Sequence, residues 1–326
     1  MDEIGTLKVN SDLYVVLGAR GGTGGAIVRE LVGQGRRVRA VTRGGDAAAA
    51  FGPLLPASYE DCAADITDAG QLRRAVDGAS VVFHCAQPAY TRWPQEFPAF
   101  TKGIVDATAA AGAKLVFADN LYMYEPGVSP LTEETPATST TKKGGVRAAM
   151  AADLLAAHRE GRLRVAIGRS SDYFGPGGLT SAMGERFFKA LLAGKKVQWF
   201  VMLDQPHSLT YLPDMARAFV ILADCAQADG GVWHIPSPPA VTGRQCIEAA
   251  SRAAGVPARP AVLGAGSIRT LGLFMPVLRE FPELLYQWDR PFVLDAGKFE
   301  AAFGPFAVTP LDEALARTVA WYRARV

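Results

Sequence analysis

The chain has 326 residues, 49% of them hydrophobic, enough to bury a large core as one big domain or two interlocked lobes. Its 34 Lys and Arg balance 32 Asp and Glu, and a net +2 gives no electrostatic reason to expect nucleic acid or an anionic membrane as partner. Four scattered cysteines (62, 85, 225, 246) form no C-x-x-C pair, and the four histidines (84, 158, 207, 234) are equally dispersed, so neither a disulfide framework nor a metal site is expected.

Met1–Asp12 is polar and lacks a signal-peptide core, and no apolar run approaches the ~20 residues that span a bilayer. A cytoplasmic protein is therefore expected. Its heavy use of Ala, Gly and Arg resembles the product of a GC-rich bacterial gene.

The apolar run Leu13–Leu17 precedes Gly18-Ala19-Arg20-Gly21-Gly22-Thr23-Gly24, and Ala26–Val32 then follows a helical pattern. Strand, glycine turn and helix in that order are what dinucleotide binding requires. Glycine lets backbone N–H groups approach a pyrophosphate, and the helix dipole points its positive end at the same place. Gly18, Gly21 and Gly24 fall at three-residue spacing.

Arg37–Thr42 reads as a second strand, Gln71–Val76 as a helix and Ser80–His84 as a strand. Phe100–Ala111 has helical spacing, Lys114–Ala118 is a strand, Val146–His158 an alanine-rich helix and Leu163–Gly168 another strand. This alternation predicts an α/β, doubly wound parallel-sheet Rossmann fold over residues 1–175. Residues 205–240 are expected to return to it through Leu209–Leu212, the helix Asp214–Ala223 and Gly231–Ile235. A smaller, interleaved C-terminal substrate lobe takes 176–204, with a helix at Thr180–Ala193 and a strand at Val197–Val201, and the loosely patterned 241–326. The loop 125–141, rich in Pro, Ser and Thr, follows a strand's C-terminal end and reads as a wall of the ligand cleft.

Several motifs in order resemble the extended short-chain dehydrogenase/reductases of the NAD-dependent epimerase/dehydratase type. After the glycine turn, Asp65-Ile66-Thr67-Asp68 is similar to the family's adenine-contacting D-[LI]-T-D, and His84-Cys85-Ala86 stands at its H-x-A. Phe117–Tyr124 resembles F-x-S-S-x-x-V-Y, Arg169–Gly177 resembles R-x-x-N-x-Y-G-P-G, and Leu209–Ala216 resembles the late V-x-D-x-A segment. The resemblance implies a dinucleotide site at Gly18, Arg20, Gly21, Gly22, Thr23, Gly24, Thr42, Arg43, Asp65, Ile66, Cys85, Ala86 and Gln87. It also implies a homodimer through the helices at 100–111 and 146–158, although burial within one chain explains their small faces equally.

The family's acid/base residues are a Ser/Thr and a Y-x-x-x-K pair. Here Asn120 takes the serine position, after Asp119, and no tyrosine lies between Tyr124 and Tyr173. The pair is missing. Asn120 remains the best positional substitute, able to hydrogen-bond a substrate oxygen. Tyr122 or Tyr124 could donate a proton in place of the missing tyrosine, although Tyr124 aligns with the V-Y of the family motif and reads first as its packing tyrosine; in an extended segment only one of the two reaches a ligand. Lys143, beside Lys142, could hold the nicotinamide ribose or donate a proton, or be a solvated loop cation. Asp119, Tyr90, Tyr173, Phe174 and His207 are candidates for substrate contact, the aromatics suggesting an apolar pocket or else a lobe interface.

The second strand ends Thr42-Arg43-Gly44-Gly45, with no carboxylate before Asp46. An acidic residue there would accept from a ribose 2′-OH, whereas Arg43 and Arg20 suit a 2′-phosphate, so NADP(H) is favoured over NAD(H). The expected function is NADP(H)-dependent hydride transfer on a small carbonyl, hydroxyl or imine metabolite with a non-standard proton donor. A non-redox isomerase, dehydratase or cyclase and a non-catalytic NADP-binding sensor are the alternatives.

Overall fold

The computed structural model describes residues 12–47 and 59–325; the polar start discussed above lies outside it, apart from Asp12. Strand β1 (Leu13–Leu17) has every residue buried, as an apolar β-branched run in the middle of a two-sided sheet must. It is joined by β2 (Arg37–Thr42), β3 (Tyr59–Ala63), β4 (Val81–His84), β5 (Lys114–Asp119) and β6 (Arg164–Arg169). Short strands follow: β7 (Asp172–Phe174), β8 (Val197–Phe200), β9 (Pro206–His207), β10 (Leu209–Tyr211), β11 (Gly231–His234), β12 (Val241–Thr242) and β13 (Pro260–Leu263).

The main sheet has seven strands in the order β11-β6-β5-β4-β1-β2-β3, and every pairing in it is parallel. Its order reverses between β1 and β4, and the crevice beyond the carboxyl ends of those two strands is where such sheets take ligands. The expected Rossmann architecture is therefore present, and Gly231–His234 does pair with β6.

Helices α1 (Gly22–Gly33), α2 (Ala69–Val76), α3 (Trp93–Ala110), α4 (Lys142–Arg159), α5 (Glu185–Leu192) and α6 (Leu212–Asp224) come next in chain order. They are followed by α7 (Gly243–Ala254), α8 (Ala265–Gly272), α9 (Gly297–Phe303) and α10 (Leu311–Arg323). One face of the sheet packs on α1 and α6 through Ile27, Leu31, Met215 and Phe219. The other packs on α2, α3 and α4 through Leu72, Ile104, Met150 and Leu154. A third core, around Phe188, Trp199, Ile247, Trp288 and Leu315, belongs to the C-terminal part. Each such side chain contributes about 1.5–3 kcal/mol of burial free energy.

Several elements depart from the sequence reading. Helix α4 begins at Lys142, four residues before the expected Val146, because Thr141 caps it by accepting from Gly144 N–H at 3.0 Å. Helix α3 starts at Trp93 rather than Phe100, the two prolines being tolerated in and near its first turn. Phe174 is a further correction. Expected at the substrate, it is fully buried, its ring centroid 5.4 Å from that of Tyr211 in the third core.

Candidate active site

The glycine turn sits at the sheet's switch point with almost no spare room. Gly18 has φ +81°, and a Cβ there would stand 2.7 Å from Ala86 Cα at the end of β4. A Cβ on Gly24 would collide with the Gly18 carbonyl oxygen. Gly22 lies against the ring of Tyr173, which a Cβ would approach to 3.2 Å, so Tyr173 borders this turn rather than the substrate end of the cleft. Helix α1 starts at Gly22 with no side-chain cap, which leaves the first-turn N–H groups of Gly22, Thr23 and Gly24 for an anion. The cradle fits a dinucleotide pyrophosphate.

Gly24→Ala is expected to lower dinucleotide affinity and the unfolding midpoint together. Gly33→Ala, where a Cβ meets nothing, should lower neither. Fluorescence titration and urea melts measure both, and equal behaviour of the two variants would remove Gly24 from the cradle.

Beside the carboxyl end of β2, Arg20 Nη1 donates to Asp46 at 2.6 Å, and Thr42 Oγ1 lies 3.2 Å from the same carboxylate. Arg43 is exposed and makes no ion pair among the described residues. Asp65 spends one carboxylate oxygen on the N–H and hydroxyl of Thr67, which hold its pKa below the ordinary value. Ile66 packs under it into the core. Cys85 is half-buried on the other face, burial pushing its thiol up to about 12. Gln87 accepts from Arg147 at 3.5 Å.

Beyond β5 the backbone turns. Asn120 Oδ1 accepts from Tyr122 N–H at 3.0 Å, so its free amide N–H is what Asn120 can offer a ligand. The turn sends the two tyrosines apart. Tyr122 OH lies 3.4 Å from Tyr90 OH, beside Trp93, whereas Tyr124 is buried with Leu131, Phe292 and Leu294. Tyr124 OH accepts from Arg169 at 2.8 Å. It also meets His234 Nε2 at 2.6 Å, and His234 Nδ1 faces the Asp295 carbonyl at 2.8 Å. A carbonyl only accepts, so Nδ1 carries the ring proton and Tyr124 gives its own to Nε2. With its proton committed, Tyr124 takes the packing role that the family motif implies, and its alternative role as proton donor falls away.

Asp119 is equally committed. Its carboxylate joins Arg147 at 3.3 Å and Arg169 at 3.1 Å, all three side chains being at most 6% exposed, which removes it from substrate contact. Arg147 also lies 4.5 Å over the Trp93 ring and 4.6 Å over that of Phe97.

Lys143 is not a solvated loop cation. It is fully buried in the first turn of α4, where its ammonium meets Glu280 and, at 2.9 Å, Glu283, and lies 4.7 Å over the Tyr90 ring. Glu283 additionally accepts from Lys142 N–H at 2.8 Å. Gly144 permits this docking, since a Cβ there would strike the Tyr122 carbonyl and Ser139. Lys143 and Arg147 are four residues apart and share one helical face. Sequence reasoning missed Arg147, although the spacing Lys143-x-x-x-Arg147 reproduces that of Y-x-x-x-K.

Asp172 closes the cluster. His207, stacked 4.2 Å from Trp288, meets it through Nε2 at 2.9 Å. Burial above all pushes the hydroxyls of Tyr90, Tyr122, Tyr173 and Tyr286 above the ordinary tyrosine value, Tyr122 adding next for Tyr90, and the Asp172 carboxylate contributes in the same direction to all four. At neutral pH these tyrosines are donors, not bases. The strand ends thus gather Asn120, Tyr122, Tyr90, Lys143 and Arg147 at one edge, with Asp172 and His207 near it.

A model of the NAD dependent epimerase/dehydratase family matches residues 14–235. The chain belongs to that family. No curated protein matches it in sequence. MoeE5 in complex with UDP-glucuronic acid and NAD is similar in structure, with a TM-score of 0.76 at 23% identity, covering 97% of this chain and 100% of that one. A double mutant of the dTDP-glucose 4,6-dehydratase DesIV from Streptomyces venezuelae, with NAD bound, gives 0.76 at 20%, covering 95% and 96%. UDP-glucose 4-epimerase from Thermotoga maritima with UDP-glucose gives 0.76 at 19%, covering 96% and 99%. At such identities the likeness is one of fold. Among the described residues of this family member, no helix is long and apolar enough to cross a membrane. Nor, among them, could any group of three or more His, Cys, Asp or Glu hold a metal ion.

Proposed function

We propose that this family member is an NADP(H)-dependent oxidoreductase acting on a carbonyl, hydroxyl or imine carbon of a small metabolite, with Lys143 as proton donor. The observation that supports this reading is the pair Lys143 and Arg147, both buried on α4 at the four-residue spacing of the family's tyrosine and lysine. A bound nicotinamide dinucleotide would supply the hydride chemistry. The chain's own residues would orient the substrate and move the proton. An ammonium and a phenol have similar intrinsic acidity, so lysine can replace tyrosine as an acid. Glu280 and Glu283 hold the ammonium in place beside Tyr90, and because two carboxylates favour its charged form, donation requires a substrate oxygen or nitrogen to displace one of them. Asn120 N–H and Tyr122 O–H then provide neutral donors to a substrate oxygen or nitrogen.

NADP(H) is supported by Arg43 and by Arg20, whose ion pair with Asp46 a 2′-phosphate would replace. Arg43→Ala is expected to weaken NADPH by about tenfold or more and to leave NADH unchanged. Fluorescence titration with both nucleotides tests it. Equal weakening of both nucleotides would remove the case for NADP(H).

A second reading rests on the solved structures, two of which hold a UDP-sugar or a UDP-sugar acid: epimerisation or dehydration of a sugar nucleotide. Asp172, Glu280 and Glu283 lie at the same edge, but each is already partnered, by His207 or by Lys143, so they do not separate the two readings. Incubation with UDP-glucose and chromatography of the products separates the two readings. A new sugar nucleotide would replace the first.

A further inference from the structure

We propose that residues 271–275 form a tip that seats on an anionic lipid surface. Leu271, Leu273, Phe274 and Met275 are 40%, 67%, 81% and 52% exposed, four large apolar side chains within five residues. Monomeric soluble proteins scatter such residues singly, and contiguous ones mark an interaction site.

The tip is held out by built contacts. Ile268, one turn back on α8, is fully buried in the C-terminal core. Arg279 donates to the carbonyls of Gly272 at 2.6 Å and Leu273 at 2.7 Å, and a Cβ on Gly272 would press 3.3 Å from Arg279 N. The backbone beneath the apolar side chains is thereby fixed.

Charge identifies the occupant. The stretch 264–279 contains two arginines, Arg269 and Arg279, and the acidic residues that follow, Glu280 and Glu283, are turned away onto Lys143. Both arginines are exposed, and neither forms an ion pair among the described residues. Apolar side chains flanked by cations that have no carboxylate partner, Arg279 being held by backbone carbonyls alone, suit anionic headgroups over acyl chains. A stable protein–protein face needs about 800 Å² per partner, which a projecting tip of four side chains does not offer to a second copy. The chain's net charge of +2 concealed this local asymmetry.

The location adds a consequence. The same segment runs on into Pro276–Gln287, which carries Glu280 and Glu283 onto Lys143. A lipid-seated tip would bring the edge of the candidate site to the surface of the bilayer.

Co-sedimentation with vesicles tests the proposal, using phosphatidylcholine alone and an equal mixture with phosphatidylglycerol. The full chain is expected on the mixed vesicles. Phe274→Asp should lower that partitioning at least about tenfold, and Arg269→Gln about fivefold on the mixed vesicles only. Phe274→Trp should show a blue-shifted emission with mixed vesicles. Unchanged urea midpoints of these surface variants would exclude misfolding as the cause. A wild-type chain that stays in solution with both vesicles overturns the proposal, as does a Phe274→Asp variant that partitions normally. A lipid-free dimer dissolved by Phe274→Asp overturns it too, in favour of a second copy.

Discussion

Lys143→Met is expected to lower turnover by about 10²–10⁴-fold while leaving NADPH affinity unchanged. The separation follows from where the lysine sits. Its ammonium lies in the first turn of α4, against Glu280, Glu283 and Tyr90, whereas the pyrophosphate cradle is made by the backbone of residues 18–24. Removing the acid therefore leaves the cradle intact. The variant is compared with the wild type on any aldehyde, ketone or imine in a panel that the wild type turns over, following NADPH oxidation. NADPH affinity is titrated separately by fluorescence. Lys143→Arg sharpens the test, since a guanidinium keeps the charge and the carboxylate partners but is a far weaker acid. If charge alone mattered, arginine would rescue; the proposal requires that it does not. Full turnover by Lys143→Met would move proton donation to Tyr122, whose raised pKa keeps it protonated, and Tyr122→Phe would then carry the loss.

Local features were readable from the sequence wherever the chemistry is local. Strand β1, the glycine turn and α1 are one contiguous run, and their meaning depends on backbone conformation alone. The alternation of apolar runs with helical patterns likewise pointed to the parallel sheet, because strands buried on both faces are dominated by apolar residues, with polar ones such as Asp119 and Arg169 at their ends. The candidate site is different, being assembled from segments far apart in the chain. Lys143 meets Glu280 and Glu283 at separations of 137 and 140 residues, across a stretch with no clear periodicity. Nothing near residue 143 distinguishes a buried cation from a solvated one. Arg147 was overlooked for the same reason: arginine on an alanine-rich helix looks like a surface residue until Asp119, 28 positions away, is placed beside it. Tyr122 and Tyr124 were separable in principle by strand alternation. Which of them faces the cleft was decided by the turn at Asn120 and by His234 at the far edge of the sheet.

The buried ion pair that Asp119, beside Asn120, forms with Arg147 and Arg169 makes a stability contribution that can be measured. Asp119→Asn is expected to destabilise the fold by about 3–5 kcal/mol, since it strands two buried guanidinium groups. Asp119 is their shared carboxylate, with its own side chain fully buried. Arg169 keeps the Tyr124 hydroxyl and the ring beneath it, and Arg147 keeps the rings of Trp93 and Phe97, but neither retains a counter-charge. Arg147→Met should cost less, because the carboxylate it leaves still pairs with Arg169 and a methionine fills apolar space. Combining the two substitutions should cost less than their sum, as contacting groups couple. Urea unfolding of the four proteins gives these values. An Asp119→Asn variant no less stable than Arg147→Met would mean that the carboxylate does not balance both arginines. Such a result would weaken the site as well. The same ion pair holds Arg147 beside Gln87 and the end of β5, and with it the face of α4 that presents Lys143.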